Sequence, residues 1–95
     1  MENERLIKVE TLCNHYRIET SFIRSLNEYG LIEITRIDEI ECVDKDVLGD
    51  LESMMRLHYE LDINMEGIDA ISHLLKRVKE MQKEMTLLKN RLGPE

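Results

Sequence analysis

Five side chains in this 95-residue chain have the chemistry of metal ligands or nucleophiles: Cys13, His15, Cys42, His58 and His73. Zinc is usually bound by thiolate sulfur and imidazole nitrogen, and a thiolate activated by a histidine is the usual cysteine nucleophile. No pair of these residues has a recognised zinc spacing, and the chain has no glycine-rich phosphate loop or nucleophile motif. We therefore predict no catalytic residue, no metal site and no cofactor, and a protein that is not an enzyme.

The same residues have structural interpretations. Cys13 falls on the apolar face of a predicted helix and is expected in the core, whereas Cys42 is expected to be a packed or half-exposed thiol. His58 is expected to pack between helices. Two cysteines are too few for a disulfide framework, so a reducing cytoplasm is the expected location. The acidic start, Met1–Arg5, does not resemble a secretory signal, and no apolar run could span a membrane.

The first thirty residues predict a helix-turn-helix. Apolar residues recur at helical spacing over Glu10–Tyr16, after a short apolar segment at Leu6–Val9 that could form a brief strand. A tight connection follows, and a second helix is expected to have Thr20, or its neighbour Ser21, as N-cap. Gly30 is expected to end that helix, because glycine readily takes the left-handed conformation found there.

The next segment predicts a short β-hairpin, a wing beside the helix-turn-helix, with its turn at Asp38–Glu39. Asp44 is a good N-cap for a third helix that extends to Leu61. A loop, Leu61–Asn64, precedes a last helix from about Met65 to Leu92. Gly67, near its start, is expected to allow a close crossing over the third helix.

The last helix carries a seven-residue repeat of apolar residues typical of a coiled coil. The residues of this seam are Ile71, Leu74, Val78, Met81, Met85, Leu88 and Leu92. The helix would be roughly 40 Å long at ~1.5 Å per residue, and nothing else in so short a chain could cover its far half. We therefore predict a homodimer, with the relative direction of the two helices left open.

Charge is unevenly distributed along the chain. The formal net charge is −7, with 20 acidic and 13 basic residues. Residues 38–69 hold eleven acids and two bases, a local charge of −9, whereas residues 76–91 carry a local charge of +4. The acidic segment is either a solvated surface or a docking surface for a basic protein. The acidic balance also lowers the expectation of nucleic-acid binding.

The order of elements resembles that of MerR-type regulators over the whole chain. The segments Thr20–Ile32 and Asp46–Leu51 look like the second helix with its exit and the start of the helix after the wing. A narrower resemblance, diagnostic mainly over Leu48–Leu92, is to chaperone modulators of the CbpM type. It is carried by the His-x-Glu-Leu core and Gly-Ile pair of Arg56–Ile68, and by the ending Leu87–Leu92.

The resemblance implies a mainly α fold: a MerR-like winged helix-turn-helix followed by a helix pair that ends in a long coiled-coil helix. One domain is expected over residues 1–95, divided into residues 1–43, 44–63 and 64–92. The resemblance also implies binding and inhibition of the J-domain of a DnaJ-like co-chaperone of the CbpA type. Acids of the wing, the third helix and the loop are the expected contacts: Asp38, Glu39, Glu41, Asp50, Glu60 and Asp62.

A DNA-binding regulator of the MerR type is the alternative function. Arg17, Arg24 and Arg36 would then contact phosphates, with the second copy of a dimer adding its own cations. The second helix carries one arginine and the wing carries one, which is a weak set of cations for such a surface. Protein partners are therefore favoured over nucleic acid, and no membrane association is expected.

Overall fold

The computed structural model describes residues 4–93, and its elements follow the predicted order. The helices and strands are β1 Leu6–Lys8, α1 Val9–Tyr16, α2 Thr20–Glu28, β2 Thr35–Ile37, β3 Ile40–Asp44, α3 Leu48–Met55 and α4 Met65–Leu92. A 3₁₀ turn, Lys45–Val47, precedes α3, and a π-helical segment, Arg56–Glu60, follows it. The prediction of a mainly α fold with a helix-turn-helix and a wing is confirmed.

The turn between α1 and α2 depends on one left-handed residue. Arg17 has φ 58°, and the Ile18 amide donates to the Cys13 carbonyl at 3.1 Å, which closes α1. The prediction that Thr20 or Ser21 caps α2 is wrong, because Glu19 is the N-cap residue and makes no side-chain cap bond. The helix starts earlier than predicted, so both hydroxyl residues lie inside its first turn. Gly30, at φ 76°, follows the end of α2 as predicted.

The wing is one part of a three-stranded antiparallel sheet with the order β1-β3-β2. Asp38 and Glu39 form its tight turn, with φ of 50° and 66°, as hairpin turns that match strand twist require. The brief strand expected near Leu6 is present, and it pairs with β3 so that Leu6 lies opposite Asp44. Since β1 leads directly into α1, this pairing ties the wing to the helix-turn-helix.

The predicted third helix is present, but it consists of three consecutive helical segments of different type. Asp44 caps the segment as predicted, accepting a hydrogen bond from the Asp46 amide at 2.8 Å. The chain then passes from the 3₁₀ turn through α3 into the π-helical segment, where the helix widens. Asp62, with φ 58°, completes the reversal that brings α4 back toward the core.

The core lies where α1, α2, α3 and β3 meet the first turns of α4. Ile23, Leu26, Val43, Leu51 and Ile68 are its largest fully buried side chains. Cys13 is buried in this cluster, which confirms the prediction that it is a core residue. Cys42 is also buried, and both cysteines are free thiols.

Helix α4 leaves the core soon after it begins. Asn64 caps it by accepting a hydrogen bond from the Gly67 amide at 2.8 Å, and Ile68 is its buried residue. Every residue from His73 to Leu92 is exposed. Within residues 4–93, no helix is long and apolar enough to cross a membrane. The bounds predicted for this helix are confirmed, whereas its pairing with a second copy stays a prediction.

Gly67 does allow a close approach, but the prediction that α4 approaches the third helix there is wrong. A Cβ built on Gly67 would lie 2.6 Å from Ile63 Cγ2 and 3.2 Å from Asn64 Oδ1. Both atoms belong to the loop that precedes α4 and not to α3. The glycine therefore allows the chain to fold back tightly on its own loop.

Candidate functional site

The six acids predicted as partner contacts do not form one surface. Asp38 and Glu39 lie at the tip of the wing, and Asp50 lies on the exposed side of α3. Glu60 and Asp62 lie together where the π-helical segment turns toward α4. Glu41 is half-buried on β3. Glu39 and Glu41 line one groove, whereas Asp50 and Glu60 each line a different one.

Glu41 bridges two arginines from different elements. One carboxylate oxygen lies 3.3 Å from Arg24 on α2, and the other lies 3.0 Å from Arg36 on β2. Arg36 is also the cross-strand partner of Glu41 in the β2–β3 ladder. These residues line a groove of about 480 Å³ between α2 and the wing, which we call the wing groove. Its charged residues contribute three cations, from Lys8, Arg24 and Arg36, and three anions.

The phosphate contacts of the alternative function are also separated. Arg24 and Arg36 share the wing groove, where both are paired with Glu41. Arg17 lines a different groove, together with Tyr16 and Glu60. The three arginines therefore line two different grooves.

Exposed apolar and acidic residues alternate where the π-helical segment Arg56–Glu60 passes into the loop before α4. Tyr59 is 45% exposed and Leu61 is 63% exposed, and they alternate with Glu60 and Asp62. We call these four residues the elbow surface. It adjoins a groove of about 460 Å³, lined by Ile18 and Met55 among others. Large exposed apolar side chains next to charge are typical of a contact surface.

An aromatic cluster holds the elbow surface in place. The His58 ring stacks on Phe22 with centroids 4.9 Å apart, and Tyr59 packs edge-on against Phe22 at 5.2 Å. His58 Nδ1 lies 2.9 Å from the Ile63 carbonyl oxygen. Because a carbonyl only accepts, Nδ1 carries the proton in this hydrogen bond. The prediction that His58 packs between helices is confirmed. Its hydrogen bond to the backbone of the loop was not predicted.

Two tyrosines fasten neighbouring helices through carboxylates. The Tyr16 hydroxyl donates to Glu52 at 2.6 Å, and the Tyr29 hydroxyl donates to Glu66 at 2.9 Å. Each bond raises the pKa of its phenol, since the adjacent carboxylate opposes a second negative charge. The pKa of Glu66 is lowered, first by a hydrogen bond from its own backbone amide and then by Tyr29. These bonds connect α1 to α3 and α2 to α4.

A second apolar groove lies where α3 faces the beginning of α4. Its volume is about 440 Å³, and Leu57 and Leu75 form part of its lining. Asp50 lies on one side, and Lys76 and Lys79 lie on the other. Leu75 is 50% exposed and falls outside the predicted seam.

The predicted seam of α4 is solvent-exposed beyond its first residue. Leu74, Val78, Met81, Met85, Leu88 and Leu92 are between 46% and 82% exposed, while Ile71 is half-buried. Leu87, which the repeat did not include, is 63% exposed. An uncovered apolar stripe of this length is typical of a surface that binds another protein chain.

The residues with metal or nucleophile chemistry do not assemble into a site. Among residues 4–93, no group of three or more His, Cys, Asp or Glu side chains could hold a metal ion. Burial raises the pKa of the Cys13 thiol, which disfavours the reactive thiolate. His73 Nδ1 bonds the Asp69 carbonyl one turn earlier, at 2.8 Å.

The comparisons with known proteins cover almost the whole chain. A family model described as MerR HTH family regulatory protein matches residues 7–90. A chaperone modulatory protein CbpM from Pseudomonas entomophila is 28% identical over 88 residues, which cover 92% of this chain and 87% of that protein. A protein of the same name from Pseudomonas putida has the same identity and coverage. No solved structure matches the chain significantly. The resemblance to CbpM-type proteins is therefore confirmed.

Proposed function

The chain belongs to the MerR HTH family of regulatory proteins, and we propose that within this family it serves as a chaperone modulator. In this proposal it binds the J-domain of a DnaJ-like co-chaperone of the CbpA type and inhibits it without catalysing a reaction. The observation that carries the proposal is the similarity to chaperone modulatory proteins over 92% of the chain. That similarity includes the joint between the third helical segment and α4.

The elbow surface is our first choice for the J-domain contact. A J-domain presents a basic helix to its Hsp70 partner, and Glu60 and Asp62 would attract such a helix. Tyr59 and Leu61 would supply the buried apolar contacts that hold a complex together, because tyrosine is a frequent anchor in interfaces. Charge would increase the rate of encounter, whereas apolar burial would slow dissociation.

The remaining acids are weaker choices for different reasons. Asp38 and Glu39 lie at the tip of the wing, and Asp50 faces the groove that also holds Lys76 and Lys79. The carboxylate of Glu41 is engaged by Arg24 and Arg36. We propose Asp38, Glu39 and Asp50 as secondary contacts with the J-domain. Glu41 is the weakest candidate of the six acids.

We further propose that α4 makes the protein a homodimer. Its exposed seam would be covered by the same seam of a second copy, in the manner of a coiled coil. The first turn of α4 contains Glu66 and its last turn contains Lys89 and Arg91. An antiparallel pair would place these opposite charges together, whereas a parallel pair would place like charges side by side. We therefore favour the antiparallel arrangement.

Residues 1–95 would act as one unit in this role, with residues 1–43 and 44–63 forming the body and 64–92 the dimerisation helix. The free thiols of Cys13 and Cys42 are compatible with the cytoplasm, where we place the protein. DNA binding is not carried forward as a second function, because the arginines of α2 and the wing are both paired with Glu41.

Calorimetric titration of the chain with the isolated J-domain of its cognate co-chaperone tests the proposal. We expect binding that weakens as salt rises, and a decrease in J-domain-stimulated ATPase activity of Hsp70. No binding at low salt, with both proteins folded, would overturn the proposed function. Binding without any effect on the ATPase activity would support the J-domain as the partner but would contradict the proposed inhibition.

A further inference from the structure

One carboxylate pairs with both cations of the surface that a helix-turn-helix would present to nucleic acid. Arg24 is the only cation of α2, and Arg36 is the only cation between Leu31 and Asp44. Their guanidinium groups lie 3.3 Å and 3.0 Å from the two oxygens of Glu41. Neither arginine can therefore approach a phosphate without losing or sharing this partner.

The burial of the three side chains is unequal. The side chain of Glu41 is 19% exposed, whereas those of Arg24 and Arg36 are 58% and 65% exposed. The carboxylate is therefore the most buried member of this bridge, and both arginines lie nearer the solvent. Guanidinium recognises carboxylate and phosphate with the same donors, so the Glu41 carboxylate competes with a phosphate for these two arginines.

The charges around the bridge reinforce its effect. The wing groove brings Lys8, Arg24 and Arg36 together with Glu10, Glu39 and Glu41. The groove therefore has no net charge, whereas affinity for nucleic acid depends on cations that replace counterions on the phosphates. The helix-turn-helix shape is present, but its electrostatic contribution to nucleic-acid binding is cancelled within the chain.

We propose that Glu41 is an internal counter-ion that closes the face formed by α2 and the wing to nucleic acid. Glu41 would thereby determine specificity, because it disfavours nucleic acid as a ligand of this fold and does not disfavour a protein. The inference rests on the geometry of the bridge and is independent of J-domain binding. It predicts that loss of this one charge exposes a nucleic-acid-binding face that the wild-type chain lacks.

The test compares Glu41→Gln with wild type in binding to a short fluorescent DNA duplex, by anisotropy over a series of salt concentrations. The glutamine keeps the size of the side chain and an acceptor oxygen but removes the charge. Each phosphate neutralised steepens the slope of log K against log salt by about 0.9, so we expect a slope steeper by about 1 to 2 in Glu41→Gln. Glu39→Gln is the matched control, since it removes an equal charge from the same groove without breaking the bridge.

A second variant tests the inference without altering Glu41. Arg24→Gln in the wild-type background is expected to leave DNA binding unchanged, whereas adding it to Glu41→Gln is expected to reverse part of the gain. The inference is overturned if Glu41→Gln and Glu39→Gln behave alike. It is also overturned if wild type binds DNA with a slope that Arg24→Gln reduces. Circular dichroism checks the folding of each variant, and if Glu41→Gln does not fold, Glu41→Ala takes its place in the same comparison with Glu39→Gln.

Discussion

Gly67 lies so close to Ile63 that a Cβ on the glycine would be 2.6 Å from Ile63 Cγ2. The Ile63 carbonyl also accepts the hydrogen bond from His58, and the Asn64 side chain caps α4 next to it. The connection between the π-helical segment and α4 is thus a tightly packed joint. Its conformation sets where the elbow surface lies and the direction in which α4 leaves the core.

Gly67→Ala should destabilise the protein even though alanine favours helix. The gain in helix propensity is at most about 1 kcal/mol, and forcing Ile63 to move costs about 1–3 kcal/mol. Gly49→Ala is the control, since nothing lies within 4 Å of its added Cβ, and it should raise the free energy of unfolding by up to about 1 kcal/mol. Denaturant unfolding at equal protein concentration measures both. Equal stabilisation by the two substitutions would contradict the close approach.

His58 makes two separable contributions to the joint. His58→Phe keeps a ring against Phe22 but leaves the Ile63 carbonyl without its donor, which should cost about 1 kcal/mol. His58→Asn keeps an N–H donor near the position of Nδ1 but loses the stacked ring, at about 0.5–1.5 kcal/mol. Thermal unfolding should place both variants below wild type. A fully stable His58→Phe would show that the hydrogen bond contributes nothing.

Tyr29→Phe should raise the pKa of Glu66 toward its usual value of 4.5 without reaching it, because the backbone hydrogen bond remains. A pKa lowered by folding stabilises the protein above the usual value, and that stabilisation is lost as pH falls through the lowered value. Wild type should therefore lose more stability than Tyr29→Phe on acidification. Carbon-13 NMR titration of the Glu66 carboxyl measures the shift. Tyr16→Phe is the control and should leave this pKa unchanged.

Met81→Asp or Leu88→Asp should convert a dimer to a monomer, since each would bury a charge in the seam. Thr86→Asp adds an equal charge to the outer side of the same helix and should leave the dimer intact. Analytical ultracentrifugation gives the masses. An unchanged mass for both seam variants, or a monomeric wild type, would refute the proposed pairing.

Glu60→Lys should weaken J-domain binding by about tenfold, or about 1.4 kcal/mol, and should reduce its salt dependence. Tyr59 is unsuitable for this test, because its ring also packs against Phe22. Glu84→Lys is the control, with the same charge change on the exposed part of α4. Calorimetry with each variant would separate the two sites. Equal losses in Glu60→Lys and Glu84→Lys would move the contact away from the elbow surface.

Structural features that depend on neighbouring residues in the chain were predictable from the sequence. The bounds of α4 follow from apolar residues every three or four positions, and the end of α2 follows from Gly30. The hairpin turn at Asp38–Glu39 follows from local turn preferences. In each case the decisive interactions join residues a few positions apart, so the order of residue types contains the information.

Three features were decided only by the tertiary structure. β1 pairs with β3 across more than thirty intervening residues, and the carboxylate of Glu41 meets Arg24 from another element. The π-helical segment after α3 brings the His58 ring against Phe22, which lies 36 positions earlier in the chain. Such contacts depend on the path of the whole chain, which no local pattern encodes.

The acids predicted as partner contacts show most clearly which properties the sequence determines and which depend on the tertiary structure. The sequence by itself determined that residues 38–69 are strongly acidic and that an uncovered helix follows them. It could not distinguish Glu41, which is half-buried and paired with two arginines, from Glu60, which is exposed. Charge is a property of the residue, whereas its availability depends on the neighbours that folding brings within about 4 Å.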